Sequence, residues 1–327
     1  MSPLNNSSEE SSGDSYFHEA SIISAFAFLV VLAVLIIFTN GSVIYFVIKK
    51  QYLKTPTNII LASLAASDVL AGALAIPLII ACNFKYSVCL AMDLTSRFIA
   101  YSTVLHLLIG TLDRYVMIVH AMKYRCWVTK KRARLALAFI WVFSASITLI
   151  QLSWINILSP NNPSPSTLTK DLIYGLVCFV VIVVLSLALM AFALCRIFVV
   201  LRRQILKIRK QKRSVERSCR TREKRIQWKA VVIFATMLLA FMICWFVYFL
   251  DGIRNDLQID FPQKPLWAEI VLLFLRFTSA LVNPLLYTYI KKDFKRAMNL
   301  PFLRFDQDDR IQSSGCAQNN STAGSCL

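Results

Sequence analysis

Residues 98–118 read FIAYSTVLHLLIGTLDRYVMI, largely apolar from Phe98 to Thr111 and then abruptly polar at Asp113, Arg114 and Tyr115. A segment of that composition leaves water readily, so an acid, a base and a phenol at its end need water or partners within reach. Counted from Cys89 at about 1.5 Å per residue, the triplet lies about 36 to 39 Å along a helix, beyond the ~30 Å hydrocarbon thickness of a bilayer. The three groups therefore fall at a membrane boundary, where they can meet water and a soluble partner. A lone arginine snorkelling at an interface is the plainer alternative.

The remainder of the chain carries the same membrane signature. Its 327 residues are 57% hydrophobic and only 17% charged, with a mean hydropathy of +0.58, too apolar for an ordinary soluble domain. Seven apolar runs are long enough to cross a bilayer, at approximately 21–48, 58–81, 90–118, 134–157, 172–200, 230–250 and 266–290. A backbone in lipid must satisfy its own hydrogen bonds, and the runs lack strand-like alternation, so helices are expected. The residues before the first run are acidic and the run is too long for a cleavable signal, so it reads as its own insertion signal.

A net charge of +18 raises the question of nucleic acid, and the placement of that charge answers it. Thirty of the 36 Lys and Arg lie in or beside 49–54, 114–134, 196–229, 291–296 and the C-terminal tail. Four (Lys85, Lys170, Arg254, Lys264) lie in the alternate loops, and Arg97 and Arg276 lie inside runs. By the positive-inside rule the N-terminus is extracellular and the C-terminus cytoplasmic, and no nucleic-acid partner is implied. Asn5 and Asn6 head overlapping glycosylation sequons in the extracellular tail, whereas the sequons at Asn40, Asn319 and Asn320 fall in a helix or on the wrong side.

Six of the seven runs also hold a landmark. Asn40 in TNGSVIY, Asp68 in LAASDVL, the DRY triplet, Trp141, FMICW ending at Trp245, and NPLLY with Asn283, Pro284 and Tyr287 occur in order, followed by KKDFKRAM. The ordered set resembles the rhodopsin-like, class A G-protein-coupled receptors over nearly the whole chain. The resemblance implies an all-α membrane protein, a bundle of seven transmembrane helices with a short amphipathic eighth. Residues 1–20 would be an extracellular tail, 21–299 the receptor domain with helix eight, and 300–327 a cytoplasmic tail. It also implies a plasma-membrane, multi-pass receptor that binds an extracellular ligand and activates a heterotrimeric G protein, with arrestin, a receptor kinase and membrane lipid as further candidate partners.

By that resemblance the switch residues are Asp113, Arg114, Tyr115, Trp245, Asn283, Pro284 and Tyr287. Asp68, Thr103, Ser279 and Asn283, with Asn40 nearby, would gather at a buried carboxylate that often holds an allosteric sodium ion; a purely structural hydrogen-bond knot is the alternative. No other metal or cofactor is implied.

Departures from the family pattern matter as much. Val247 stands where helix six usually has proline, and Ser186 and Leu194 replace a proline and a tyrosine in helix five, so the expected kinks lose their usual cause. Gln227 replaces the common acidic partner of the DRY arginine, leaving Asp113 and, a turn away, Glu223. Cys89 usually pairs with a cysteine in the second extracellular loop, but SPNNPSPSTLTK has none, which makes Cys82 the candidate partner. The other cysteines considered, among them Cys126 and Cys178, read as free thiols. The missing helix-five proline and loop cysteine are reminiscent of the melanocortin, lysolipid and cannabinoid group.

In aminergic members an aspartate of helix three is the amine's counter-ion, and Ser96 occupies that position. Asp93 lies a turn outward, with Arg97 four residues on along the same face. Two intramembrane arginines facing the bundle suit an anionic ligand, a lipid or carboxylate, or a peptide. Alternatively Asp93 neutralises Arg97 while Arg276 finds carbonyls or Glu269. Tyr101, Cys178, Phe179, Trp245, Tyr248, Phe249 and Phe277 would line the cavity. An amine receptor using Asp93, and a decoy that binds without coupling, are the competing readings. Enzyme, transporter and channel readings lack support: the histidines show no HExxH spacing, and neither an internal repeat nor a polar pore stripe is visible.

Overall fold

The computed structural model describes residues 7–155, 165–209, 228, 232, 235, 236, 239, 245, 250 and 265–290, all helical apart from short connections and turns. Helix one is Ser7–Lys49, starting well ahead of its apolar run. Helix two runs Pro56–Leu70, passes through a π-helical turn at Ala71–Ala75 and continues as Ile76–Phe84. Helix three is Cys89–Val119 and helix four Lys130–Ile150. Helix five comprises Pro165–Cys178, a π-helical turn Phe179–Val184 and Leu185–Arg209; helix seven is Leu266–Ile290. The sixth run is represented by its described residues from Trp228 to Leu250. Among the described residues, six helices are long and apolar enough to span a membrane. Residues 291–299, read as the eighth helix, lie outside the described residues, as do Asn5, Asn6, Tyr248, Phe249 and the side chain of Tyr287.

Local chemistry sets several of these boundaries. Thr55 accepts the backbone N–H of Asn58 and Pro56 opens helix two, a standard cap-and-proline start. Thr129 caps helix four in the same way through Arg132 N–H. At the N-terminal end of helix three, Cys82 and Cys89 form a disulfide across the short turn between helices two and three, with Cα atoms 4.8 Å apart. Helix five lacks its proline yet contains the π-helical turn directly before Ser186, so the irregularity there comes from an extra residue in the turn rather than from proline.

Packing is inverted relative to a soluble protein. Phe38 and Leu135 are each 72% exposed while Asn40 and Ser96 are fully buried, as expected where the apolar exterior meets lipid and polar groups pair within the bundle. Helix three is central, packing against two, four and five, while helix one lies against two and seven. Close approach of helices one and two depends on Gly72, where an added Cβ would sit 3.0 Å from Ile37 Cγ1 and 3.1 Å from the Ala33 carbonyl oxygen. Gly72→Val is expected to destabilise the receptor by about 1–3 kcal/mol through overpacking. Its melting temperature in detergent measures this; an unchanged value shows that helix one can move aside.

Candidate functional site

The C-terminal end of helix three is built around the carboxylate of Asp113. Thr57 Oγ1 donates to Oδ2 at 2.7 Å and Tyr124 Oη donates to Oδ1 at 2.9 Å, so helix two and the loop after helix three converge on one acid. Burial, reinforced by the Asp113 charge, pushes the Tyr124 phenol up to about 12, and its hydroxyl remains a donor throughout physiological pH. Arg114 is buried beside them, its Nε 3.8 Å from Asp113, beyond hydrogen-bond length, while Nη1 lies 3.3 Å from Met117 Sδ. The acid is thus satisfied chiefly by hydroxyls and the guanidinium is only loosely held by it. Tyr115 packs edge-on to His120 at 5.9 Å and contacts the small cluster of Ile118, Ile197 and Leu201 that joins helices three and five. Glu223 and Gln227 lie outside the described residues. Thr57 and Tyr124 were not singled out from sequence.

Deeper in the bundle, Asn283 Nδ2 donates to Asp68 Oδ2 at 3.0 Å, joining helices two and seven. Pro284 follows inside helix seven and is buried. Thr103 lies 3.5 Å from Ser67, the neighbour of Asp68, rather than on the carboxylate itself. Asn40 also turns elsewhere: its Nδ2 donates to the carbonyls of Ile36 and Ala280, each at 3.0 Å, tying helix one to helix seven. Ser279 accepts from Trp245 Nε1 at 3.1 Å and donates to the Arg276 carbonyl at 3.2 Å.

Above Trp245 lies the proposed cavity region. Arg276 is buried on helix seven, its guanidinium carbon 5.1 Å from the Trp245 ring centre and 5.3 Å from that of Phe277. Such stacking suits the planar guanidinium and holds it against helix six. On helix three, Arg97 Nε donates to Asp93 Oδ2 at 2.8 Å, and its guanidinium lies 5.9 Å from the Tyr174 ring centre. Glu269 is exposed. Ser96 is buried against Met92, 3.8 Å from its sulfur, and Tyr101 and Cys178 are buried on helices three and five.

Two further features were not anticipated. Trp154 donates to Asp171 at 2.5 Å and packs edge-on to Tyr174, bracing the end of helix four against the start of helix five. In the middle of the bundle, Trp141 Nε1 donates to Ser63 Oγ at 3.0 Å, and Ser63 lies 2.8 Å from His106 Nε2. The short contact of His106 Nδ1 with the Ser102 carbonyl, 2.7 Å, calls for a proton on Nδ1. Ser63 therefore donates to Nε2, and His106 is a link between helices rather than a catalytic base. Cys178 and Cys195 are free, whereas Cys126, expected as a thiol, is disulfide-bonded in the structure to a partner outside the described residues.

Residues 39–287 match the family described as "7 transmembrane receptor (rhodopsin family)". The chain is 29% identical to the histamine H2 receptor of Cavia porcellus over 289 residues, covering 84% of this chain and 78% of that one. It is 32% identical to the histamine H2 receptor of Homo sapiens over 281 residues, covering 81% and 76%. Identity to the adenosine receptor A2a of Homo sapiens is 28% over 284 residues, covering 81% and 68%. With its landmark residues on the helices just described and the family match spanning them from Thr39 to Tyr287, the chain belongs to the rhodopsin family of seven-transmembrane, G-protein-coupled receptors.

Proposed function

We propose that this cell-surface receptor responds to an extracellular ligand carrying a carboxylate or phosphate, recognised by Arg276 with Arg97, and activates a heterotrimeric G protein at the face around Arg114. The N-terminus is extracellular in this reading. The observation that carries the ligand assignment is the burial of Arg276 against Trp245. A cation inside the bundle is costly and suited to an anion, and its contact with the helix-six tryptophan gives ligand charge a route to helix packing. Binding of an anion that prefers one placement of the guanidinium shifts the bundle toward the packing compatible with it.

A second reading is an amine ligand, favoured by the similarity to histamine receptors. Asp93 would be its counter-ion, but that carboxylate is engaged by Arg97 at 2.8 Å. A panel of carboxylates and phosphates, matched in size to monoamines, applied to transfected cells and read through cyclic AMP and calcium, separates the two. Responses confined to anions support the proposal; a monoamine agonist overturns it and makes Asp93 the residue to test.

The polar knot below suits a sodium ion. Its donors are oxygens, hard ligands suited to such a cation: the buried Asp68 carboxylate, the Asn283 amide, and the Thr103 and Ser279 hydroxyls nearby. Sodium would supply the positive charge that a carboxylate inside the bundle lacks, and so favour the inactive packing. Asp68→Asn is expected to abolish any dependence of agonist affinity on sodium. Wild-type affinity that ignores sodium from the outset would reduce Asp68 to a structural role.

A further inference from the structure

We propose that Tyr174 is a positioning residue for Arg97, held in place by a clasp with Trp154 and Asp171 that ties the N-terminal end of helix three to helices four and five. The proposal rests on the reading that Arg97 helps to recognise the ligand. Residues 127–177 contain no cysteine, so neither helix four nor its connection to helix five can be bonded covalently to helix three. The disulfide at this end, Cys82–Cys89, joins helix two to helix three, and Cys178 on helix five is free. Whatever fixes helix five against helix three here is noncovalent.

Two hydrogen bonds cross between helices four and five in opposite directions. Tyr174, on helix five, donates its hydroxyl to the Ile147 carbonyl at 3.0 Å. That carbonyl lies in the last turn of helix four, where backbone acceptors run out of intrahelical donors. In return Trp154, directly after the 3-10 turn that follows helix four, donates its indole N–H to Asp171 Oδ1 on helix five at 2.5 Å. The two rings meet edge-on, their centres 5.4 Å apart at 64°. The phenol is thus held at its hydroxyl and along its ring. Half-buried indole and phenol groups lose stability when their polar atoms lack a partner, so both bonds fix where helix five stands against helix four.

The same ring meets helix three. The Arg97 guanidinium carbon lies 5.9 Å from the Tyr174 ring centre, near the limit of a cation–π contact, while Nε donates to Asp93 at 2.8 Å. Asp93 and Arg97 share one helix, so their pairing says nothing about where the guanidinium stands relative to helix five. A partly exposed i,i+4 pair is also weak, and it leaves a long side chain free to change rotamer. Tyr174 supplies the missing constraint: a ring braced from helix four blocks the rotamers that would swing the guanidinium toward helix five. The tilt of the guanidinium plane, on which a bidentate contact with a ligand acid depends, therefore follows from Tyr174 and, behind it, from the Trp154–Asp171 bond.

The test needs no ligand, so its failure and that of the anionic-ligand reading are distinguishable. Full-length receptor in phosphatidylcholine nanodiscs is treated with N-ethylmaleimide or with phenylglyoxal, and modification is followed residue by residue by peptide mass spectrometry. Cys178, buried and one turn on from Tyr174, reports the opening of helix five, with exposed Cys195 on the same helix as reference. Arg97 reports its own position, with exposed Arg196 as reference. Asp171→Leu is expected to speed modification of Cys178 and of Arg97 by about fivefold each over their references, although the indole and phenol rings stand between Asp171 and Arg97. Tyr174→Leu should speed both as well. Asp171→Asn, whose amide oxygen still accepts the indole N–H, should leave both at the wild-type rate, which separates loss of the bond from misfolding. An Arg97 rate unmoved in the two leucine variants would show that Asp93 alone sets the guanidinium and would overturn the proposal. An unmoved Cys178, or an asparagine variant that behaves like the leucine one, overturns it equally.

Discussion

Arg114→Ala is expected to lower agonist-driven G-protein activation by at least about tenfold, a change of ~1.4 kcal/mol or more, while the receptor still reaches the cell surface. The two halves of that expectation have different physical causes. Asp113 keeps its hydroxyl donors, Thr57 at 2.7 Å and Tyr124 at 2.9 Å, when the arginine is removed, so no buried carboxylate loses a close hydrogen bond. Arg114 itself stands 3.8 Å from that acid and is buried at the end of helix three proposed to meet the G protein. Turning toward an arriving amphipathic helix therefore requires no short Arg114–Asp113 bond to break. Nucleotide exchange on purified G protein measures the loss, with surface antibody staining as the control. A full response from the variant would sink the switch assignment, and an uncoupled wild type that binds its ligand would mark the chain as a decoy.

Hydropathy made the spans legible because each is decided by its own residues, and helix three matches its apolar run to within a residue at each end. Contacts within one helix were equally readable: the Asp93–Arg97 pair follows from a spacing of four. What escaped were contacts set by the relative placement of different helices. Thr57 and Tyr124 reach Asp113 from 56 residues before and 11 after, and neither residue type announces such a role. Asn40 bonds the Ala280 carbonyl rather than gathering on Asp68 because helices one and seven are packed tightly enough to bring that carbonyl within 3.0 Å. The π-helical turn of helix five has no proline or glycine to mark it, since an inserted residue is a matter of register and not of local propensity. The thiol expected at Cys126 rested on the lack of metal-ligand spacing and on a membrane or cytoplasmic position, neither of which fixes the distance between two sulfurs.

The position of Arg276 leads to the second large effect. Arg276→Gln is expected to cost an anionic agonist about 2–5 kcal/mol of binding, roughly thirtyfold to several thousandfold in potency, at equal surface expression. A charge-assisted contact inside the bundle is screened little by salt, and glutamine can offer one neutral hydrogen bond where guanidinium offers a planar fork. Arg97 should matter less: Asp93 lies 2.8 Å from its Nε and already offsets its charge, so Arg97→Gln removes a cation that is partly neutralised and more exposed than Arg276. The order of the two losses is the informative result. Arg276→Lys adds a further check, because it keeps the charge while giving up the planar stacking on Trp245, 5.1 Å away. If charge alone recognises the ligand, lysine restores potency; if the stacked guanidinium also transmits the signal, lysine restores affinity but not maximal response. Potency within about threefold of wild type in both glutamine variants, well under 1 kcal/mol, would show that neither arginine meets the ligand and that Arg276 serves only to hold helix seven against helix six.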